Sequence, residues 1–242
     1  MPDLLARYGM EPDPAGYERS PGNSFVHMVA ELLQSLDRPL STLDTVVLAY
    51  HLPDLKIAEA ASGYVATVCP GEPDVFSVSE QGVGAPFTAL HILDRLRAAG
   101  ERRGAVLVLD QSTAHYHDPD TRERQIRDCA VLLRTGEAAG ADSTVIGEVV
   151  QEPVDDPAEA LLAEARRLPD CRIVVGARLA EYLTPGQLAA HGIVAGPDRH
   201  LCTSPWLALA DVWAPDRTTI VADYDPHAAL LFRVALHPAD AA

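Results

Sequence analysis

Segment 74–91 passes from a β-rich run, Asp74 to Ser79, through a turn containing Glu80, Gln81, Gly82 and Gly84, into a helical run that starts near Pro86. A residue at such a corner sits beside N–H groups that lack helical partners, at the positive end of the helix dipole. A cysteine there is held as a thiolate and can carry an acyl group covalently. Gln81 takes the place instead, and a carboxamide has two donors and one acceptor but no proton to lose. His200 and Cys202 lie two apart, so on a strand both face one side, with Asp198 near enough to orient the imidazole. That spacing suits a His-activated thiolate in an acyltransferase or thioesterase; the plainer reading is a packed thiol near a surface histidine. His115, His117, Asp118 and Asp120 share one polar run. An H-x-H pair with carboxylates can bind a divalent metal, but Asp and Pro also make ordinary turns. We read a loop there and expect no metal. No G-x-G-x-x-G follows a strand, and neither G-x-x-x-x-G-K-[ST] nor G-x-S-x-G occurs, so no nucleotide or other cofactor is expected.

The elements that position these residues follow from periodicity. Residues 1–23, rich in Pro, Gly and charge, read as an irregular arm. Ser24 caps a helix over 25–36, where apolar residues recur every three or four positions. A β-rich run covers 43–51, Asp54 caps a predicted helix over 55–68, and the helix over 86–99 stops at Gly100. Residues 104–112 form a continuous apolar run typical of a buried parallel strand. The runs at 128–136 and 142–153 read as a hairpin closing the first half, 24–152. The second half, 153–242, repeats the programme in shorter form: helix 157–168, strand 171–177, helices 184–192 and 204–213, and closing strands 218–225 and 229–236. A strand to open each half is missing or reduced. Buried strands alternating with helices predict an α/β fold, with helices covering mixed sheets.

Composition sets the outer bounds. The 242 residues are 48% hydrophobic, enough for a sizeable core, and carry a net charge of −16. Such an acidic surface repels phosphate backbones, so no nucleic-acid partner is expected. No apolar run is long enough to cross a bilayer, and the amino-terminal residues carry acids and prolines where a secretory signal needs an apolar stretch. We expect a soluble, cytoplasmic protein without a membrane partner. Cys69, Cys129, Cys171 and Cys202 are widely spread with no C-x-x-C, which argues against disulfides and zinc.

The corner segment resembles the nucleophile elbow of the thiolase-like superfamily. Ser79-Glu80-Gln81-Gly82 is similar to the Ala-Glu-Gln of chain-length factors, the partners of aromatic polyketide ketosynthases that carry Gln in place of the active cysteine. The run from His200 to Val212 resembles the Gly-Asn-Thr-Ser stretch of β-ketoacyl synthase III enzymes: Thr203 and Ser204 match, and Cys202 falls at the catalytic asparagine. The family's His-Gln-Ala-Asn stretch corresponds to 171–182, where no histidine occurs. The resemblance spans about residues 24–237. It implies a compact version of the layered thiolase-like fold, two similar βα halves, with Gln81 where the nucleophile should be.

The resemblance also implies a function. With no thiolate at Gln81 and no matched histidine, Claisen condensation by this chain alone is not expected. We read a ketosynthase-like, chain-length-factor-like subunit of polyketide or fatty-acid-type biosynthesis, pairing with an active ketosynthase through the strand at 74–79. It would meet acyl carrier protein through that partner. The alternative is a stand-alone acyl-thioester enzyme (acyltransferase, thioesterase or decarboxylase) working from the Gln81 pocket or from Cys202 and His200. A third reading is a homodimer that binds an acyl ligand without turnover.

Overall fold

The computed structural model describes residues 11–13, 22–56, 58–100, 103–114, 116–136, 144–168 and 170–238. The first half contains α1 (Phe25–Gln34), β1 (Thr45–Tyr50), α2 (Ala61–Val68), β2 (Asp74–Val78), α3 (Ala85–Ala99), β3 (Gly104–Asp110), α4 (Pro119–Arg124) and β4 (Cys129–Thr135). The second contains β5 (Thr144–Pro153), α5 (Pro157–Arg167), β6 (Arg172–Val175), α6 (Ala177–Ala180), α7 (Pro185–His191), β7 (Val194–Ala195), α8 (Ser204–Val212), β8 (Thr219–Asp225) and β9 (Leu230–Pro238). One sheet has the order β2-β1-β3-β4 and the other β5-β9-β8-β6-β7. In each, the parallel strands are followed by an antiparallel closing strand, β4 on β3 and β9 on β8.

Alternation along the central strands builds five layers. Val46, Leu48, Ala105, Leu107 and Leu109 face one way and pack under α1 and α2 with Phe25, Val29 and Val65. Val47, Ala49, Val106 and Val108 face the other way, into a middle layer that holds Phe87 and Leu90 of α3 and Trp206 and Leu209 of α8. Val174, Val221, Phe232 and Val234 of the second sheet close that layer from below. Ile173, Val175, Ile220 and Ala222 point outward to Leu161 and Leu162 of α5 and Leu179 of α6. Strands buried on both faces are continuous apolar runs for this reason. Phe87 links the layers, its ring centroid 5.2 Å from Trp206 and 5.9 Å from Phe232. Gly84 allows that closeness, since a Cβ on it would lie 2.3 Å from the Phe232 ring.

Local signals are read as expected at several ends. Ser24 Oγ accepts from His27 N at 3.2 Å, and Gly100 closes α3 in the left-handed region at φ 114. Other expectations fail. The strands at 128–136 and 142–153 do not form a hairpin: β5 crosses to the second sheet and pairs antiparallel with β9 from Thr144↔Pro238 to Pro153↔Leu230. It supplies the opening strand the second half was expected to lack, so the second sheet begins before residue 153. Among the described residues the first sheet has no counterpart to it. The alternation of β5 satisfies either partner equally, which is why its sequence did not choose. Asp54 caps no long helix; its Oδ1 accepts from Phe25 N and Lys56 N, and helix begins only at Ala61. The loop read over 114–124 contains α4. Most of the amino-terminal arm lies outside the described residues. No helix of the described residues is long and apolar enough to cross a membrane.

Candidate functional site

The strand-to-helix corner is present. β2 ends at Val78, Glu80 and Gly82 take positive φ of 60 and 52, a tight turn covers Gly82–Gly84, and α3 follows. Gly82 is required twice over. Its φ is left-handed, and a Cβ there would lie 2.2 Å from Asp225 Oδ2. Gln81 stands at the corner as the sequence suggests, but its side chain is exposed and lies back along α3, with Oε1 accepting from the Thr88 hydroxyl at 2.5 Å.

Opposite the corner, the 200–203 loop folds around Asp110, the last residue of β3. The Asp110 carboxylate accepts from Leu201 N at 2.8 Å, Cys202 N at 2.9 Å, Thr203 N at 3.0 Å and the Thr203 hydroxyl at 2.5 Å. Successive N–H groups wrapped on one anion make a nest, and here it joins the first sheet to the start of α8. Ser204 extends the join, its Oγ accepting from Ala177 N at 2.9 Å and donating to Pro197 O at 3.2 Å. Because 200–203 is a turn and not a strand, His200 and Cys202 are not presented to one face. His200 Nδ1 lies 3.4 Å from Thr203 Oγ1, and burial pulls its pKa down against the raising influence of Asp110. Cys202 is fully buried; its thiol donates to Gly82 O at 3.3 Å. Burial first, then Asp110 and Asp223, push that thiol well above its ordinary pKa, so it is held neutral. Asp198 is exposed. The fold therefore brings Cys202 to the corner but turns Gln81 away from it.

A small open cleft of about 20 Å³ lies beside the corner, walled by Gly82, Val83, His51, Arg178, Asp120 and Asp225 among others. His51 Nε2 lies 3.6 Å from Asp118 Oδ1. Burial alone would lower the His51 pKa, but Asp118, with Asp120 and Asp110 behind it, outweighs that and raises it. Asp118 in turn is pulled down to about 2: the push from its burial is overcome by His51 and by Thr121, whose N–H donates at 2.7 Å. Asp120 forms ion pairs with the buried Arg178 and with His227, the latter at 3.5 Å. Asp225 Oδ1 accepts from His227 N at 2.9 Å and Ala228 N at 3.3 Å, leaving Oδ2 against Gly82.

Behind this wall Asp223 is 1% exposed, and burial raises its pKa to about 7, although Tyr224 N, Leu179 N and Arg178 all favour its ionised form. Its Oδ2 has no hydrogen-bond partner and fills the space where a Cβ on Gly176 would sit, 1.9 Å away. Among the described residues no cluster of three His, Cys, Asp or Glu could hold a metal. His115 lies outside the described residues. His51, Asp110, Asp223 and Asp225, which line or brace the corner, were not singled out from the sequence. The legible trace was a carboxylate inside or ending an otherwise apolar run, as in 104–110 and 219–225.

No family model and no curated protein matches the sequence. Solved structures do match in shape. The 3-oxoacyl-(acyl carrier protein) synthase III FabH from Pseudomonas aeruginosa PAO1 is 17% identical, with 88% of this chain and 81% of that chain covered at a TM-score of 0.57. The acyltransferase ChlB3 is 12% identical, with 98% and 92% covered at 0.63. The ishigamide ketosynthase/chain length factor is 16% identical, with 83% and 75% covered at 0.54. The fold is thiolase-like and ketosynthase III-like, in a compact form.

Proposed function

We propose that this chain is a non-condensing, ketosynthase-like subunit that seats an acyl thioester at the corner and works beside an active ketosynthase. One observation carries the reading: among the described residues the corner offers no thiolate to form an acyl-enzyme. Gln81 cannot ionise, and the one thiol that reaches the turn, Cys202, is sealed and neutral. Two features support a protein partner. β2, which leads into the corner, is the terminal strand of its sheet among the described residues, and one edge of its backbone pairs with no other described strand. The net charge of −16 disfavours direct docking of an acidic carrier protein, a task that falls to a more basic subunit.

Native mass spectrometry of the chain with candidate ketosynthases and acyl carrier proteins tests this. A one-to-one complex with a ketosynthase is expected, together with no acyl adduct on the isolated chain after incubation with acyl thioesters. An adduct on Cys202, or condensation by the chain alone, would replace this reading with the stand-alone acyltransferase.

A further inference from the structure

The cleft beside the corner has room for about one water. Anything larger reaches Gly82 and Cys202 only if a wall moves. Gly82 and Val83 are fixed by the turn before α3, and Leu201 by the Asp110 nest. The wall supplied by residues 118–124 is built differently. Among the described residues its backbone bonds to no other element; only its flanks are pinned, His117 N donating to Glu11 O at 2.8 Å and Arg127 N to Arg199 O at 3.0 Å. Side-chain ion pairs hold the segment down instead. Asp118 reaches His51 at 3.6 Å, Asp120 reaches Arg178 and, at 3.5 Å, His227, and Arg124 reaches Glu181 at 2.5 Å. All these partners but His51 belong to the second half, so the segment is a strap across the corner. Arg178 has a second carboxylate beneath it. Asp223 is 1% exposed, its Oδ2 takes no hydrogen bond, and the Arg178 charge favours its ionised form. One buried guanidinium thus faces two counter-ions, one on the strap and in use, the other in the wall and unused.

We propose that residues 118–124 form a gate over the corner, closed while Arg178 pairs with Asp120 and open when Arg178 turns to Asp223. Opening lifts the strap from His51 and His227 and uncovers the corner with Cys202 behind it. Two groups give up protons on opening. In the closed state burial works against the charged form of His51, but Asp118, Asp120 and Asp110 outweigh it and raise its pKa; two of those three carboxylates leave with the strap. Burial, with Asp110 adding to it, holds the closed-state pKa of Asp223 at about 7 against Tyr224 N, Leu179 N and Arg178. Paired directly with Arg178, Asp223 ionises more readily. The Cys202 thiol beside both groups stays neutral. The state that binds fewer protons gains as pH rises, so the gate is closed in acid and opens through neutrality.

Hydrogen–deuterium exchange on the full chain, read peptide by peptide, tests the gate. Amides of 118–124 should exchange by local opening, about tenfold or more faster than those of β3 once intrinsic rates are corrected. Their protection should fall as pH rises from about 5.5 to about 8.5, across both titrations. D120N removes the closed-state partner of Arg178. At one fixed pH it should speed exchange of 118–124 by about tenfold or more, leave β3 unchanged, and raise N-ethylmaleimide labelling of Cys202. D223N removes the open-state partner and keeps the Oδ1 acceptor for Leu179 N and Tyr224 N. It should slow exchange of 118–124 above neutrality and flatten its pH dependence, the reverse of what a loosened core does. H51Q, which loses only the Asp118 pair, takes the place of D120N if that variant does not fold, and should likewise speed exchange of 118–124 and not of β3. Exchange of 118–124 no faster than β3, equal acceleration of both segments in the latch variant, unchanged or faster exchange in D223N, or no gain in Cys202 labelling would each overturn the gate. These readouts need no ligand, so failure of an acyl thioester to bind leaves the gate standing and removes only the acyl-ligand reading.

Discussion

Asp110 and Asp223 are both buried carboxylates near the junction of the two sheets, yet only Asp110 meets donors on both of its oxygens. Asp110 faces three backbone N–H groups and a hydroxyl, a full set of donors for an anion. Removing it leaves those donors buried and unpaired, a loss of about 3–5 kcal/mol for a broken buried charge network. D110A should therefore show an unfolding free energy, measured by urea titration, lowered by that amount, and a value like the wild type would refute the nest. Asp223 has an oxygen with no partner, and its pKa rises from the ordinary 3.8 to about 7. Between those values the folded chain keeps a proton that the unfolded chain has released. The stability from Asp223 is thus fully present below about pH 4 and is lost as pH rises through about 7, a swing on the order of 4 kcal/mol. Asn does not titrate, so D223N should gain stability relative to wild type across that window in urea titrations run from acid to mildly alkaline pH. A constant difference between the two proteins would refute the shift.

At the scale of elements, β2 does two things at once. It delivers the chain to the corner, and it presents a sheet edge on which Ser77 is exposed while Val75 and Phe76 are half-buried. A charged side chain on such an edge blocks strand addition without touching the core. S77R should leave the unfolding free energy within about 0.5 kcal/mol of wild type, as for most surface changes, and weaken association with a ketosynthase partner by at least tenfold in native mass spectrometry titrations. Unchanged affinity would move the partner surface elsewhere. α8 is placed by a different device: its first turn hangs from Asp110 of the other half, so the loop carrying Cys202 and the last residue of β3 form one unit.

Across the whole molecule, the middle layer is shared by α3 and α8 and by both sheets, so neither half has a separate core there. Trp206 is buried in that layer, whereas Trp213 is 45% exposed. Chemical denaturation followed by tryptophan fluorescence and by far-ultraviolet circular dichroism should trace one coincident transition, and W213F should leave the fluorescence transition in place. Two separated transitions would mean that the halves unfold independently. The −16 charge acts on the same scale, through self-repulsion and repulsion of acidic carriers rather than through the fold.

The sequence alone determined the α/β class, most strands and helices, several of the caps, and the glycine corner that ends in Gln81, because those depend on period, capping chemistry and backbone freedom within a few residues. It did not determine which strands meet. The alternation of β5 suits β4 and β9 alike, and only the packing of two sheets around α3 and α8 sends it to β9. Nor did it determine the site. Gln81 was legible as a corner residue, but the side chain's turn toward Thr88 is a rotamer choice. The meeting of Cys202 with Gly82 O spans 120 residues, and the loop carrying Cys202 is held by Asp110 from 92 residues away. Asp223 and Asp225 look in sequence like ordinary polar residues closing a strand. Burial makes one of them hold a proton near neutrality, and the other packs its free oxygen on Gly82 at the corner; both are properties of neighbours that only the tertiary fold supplies.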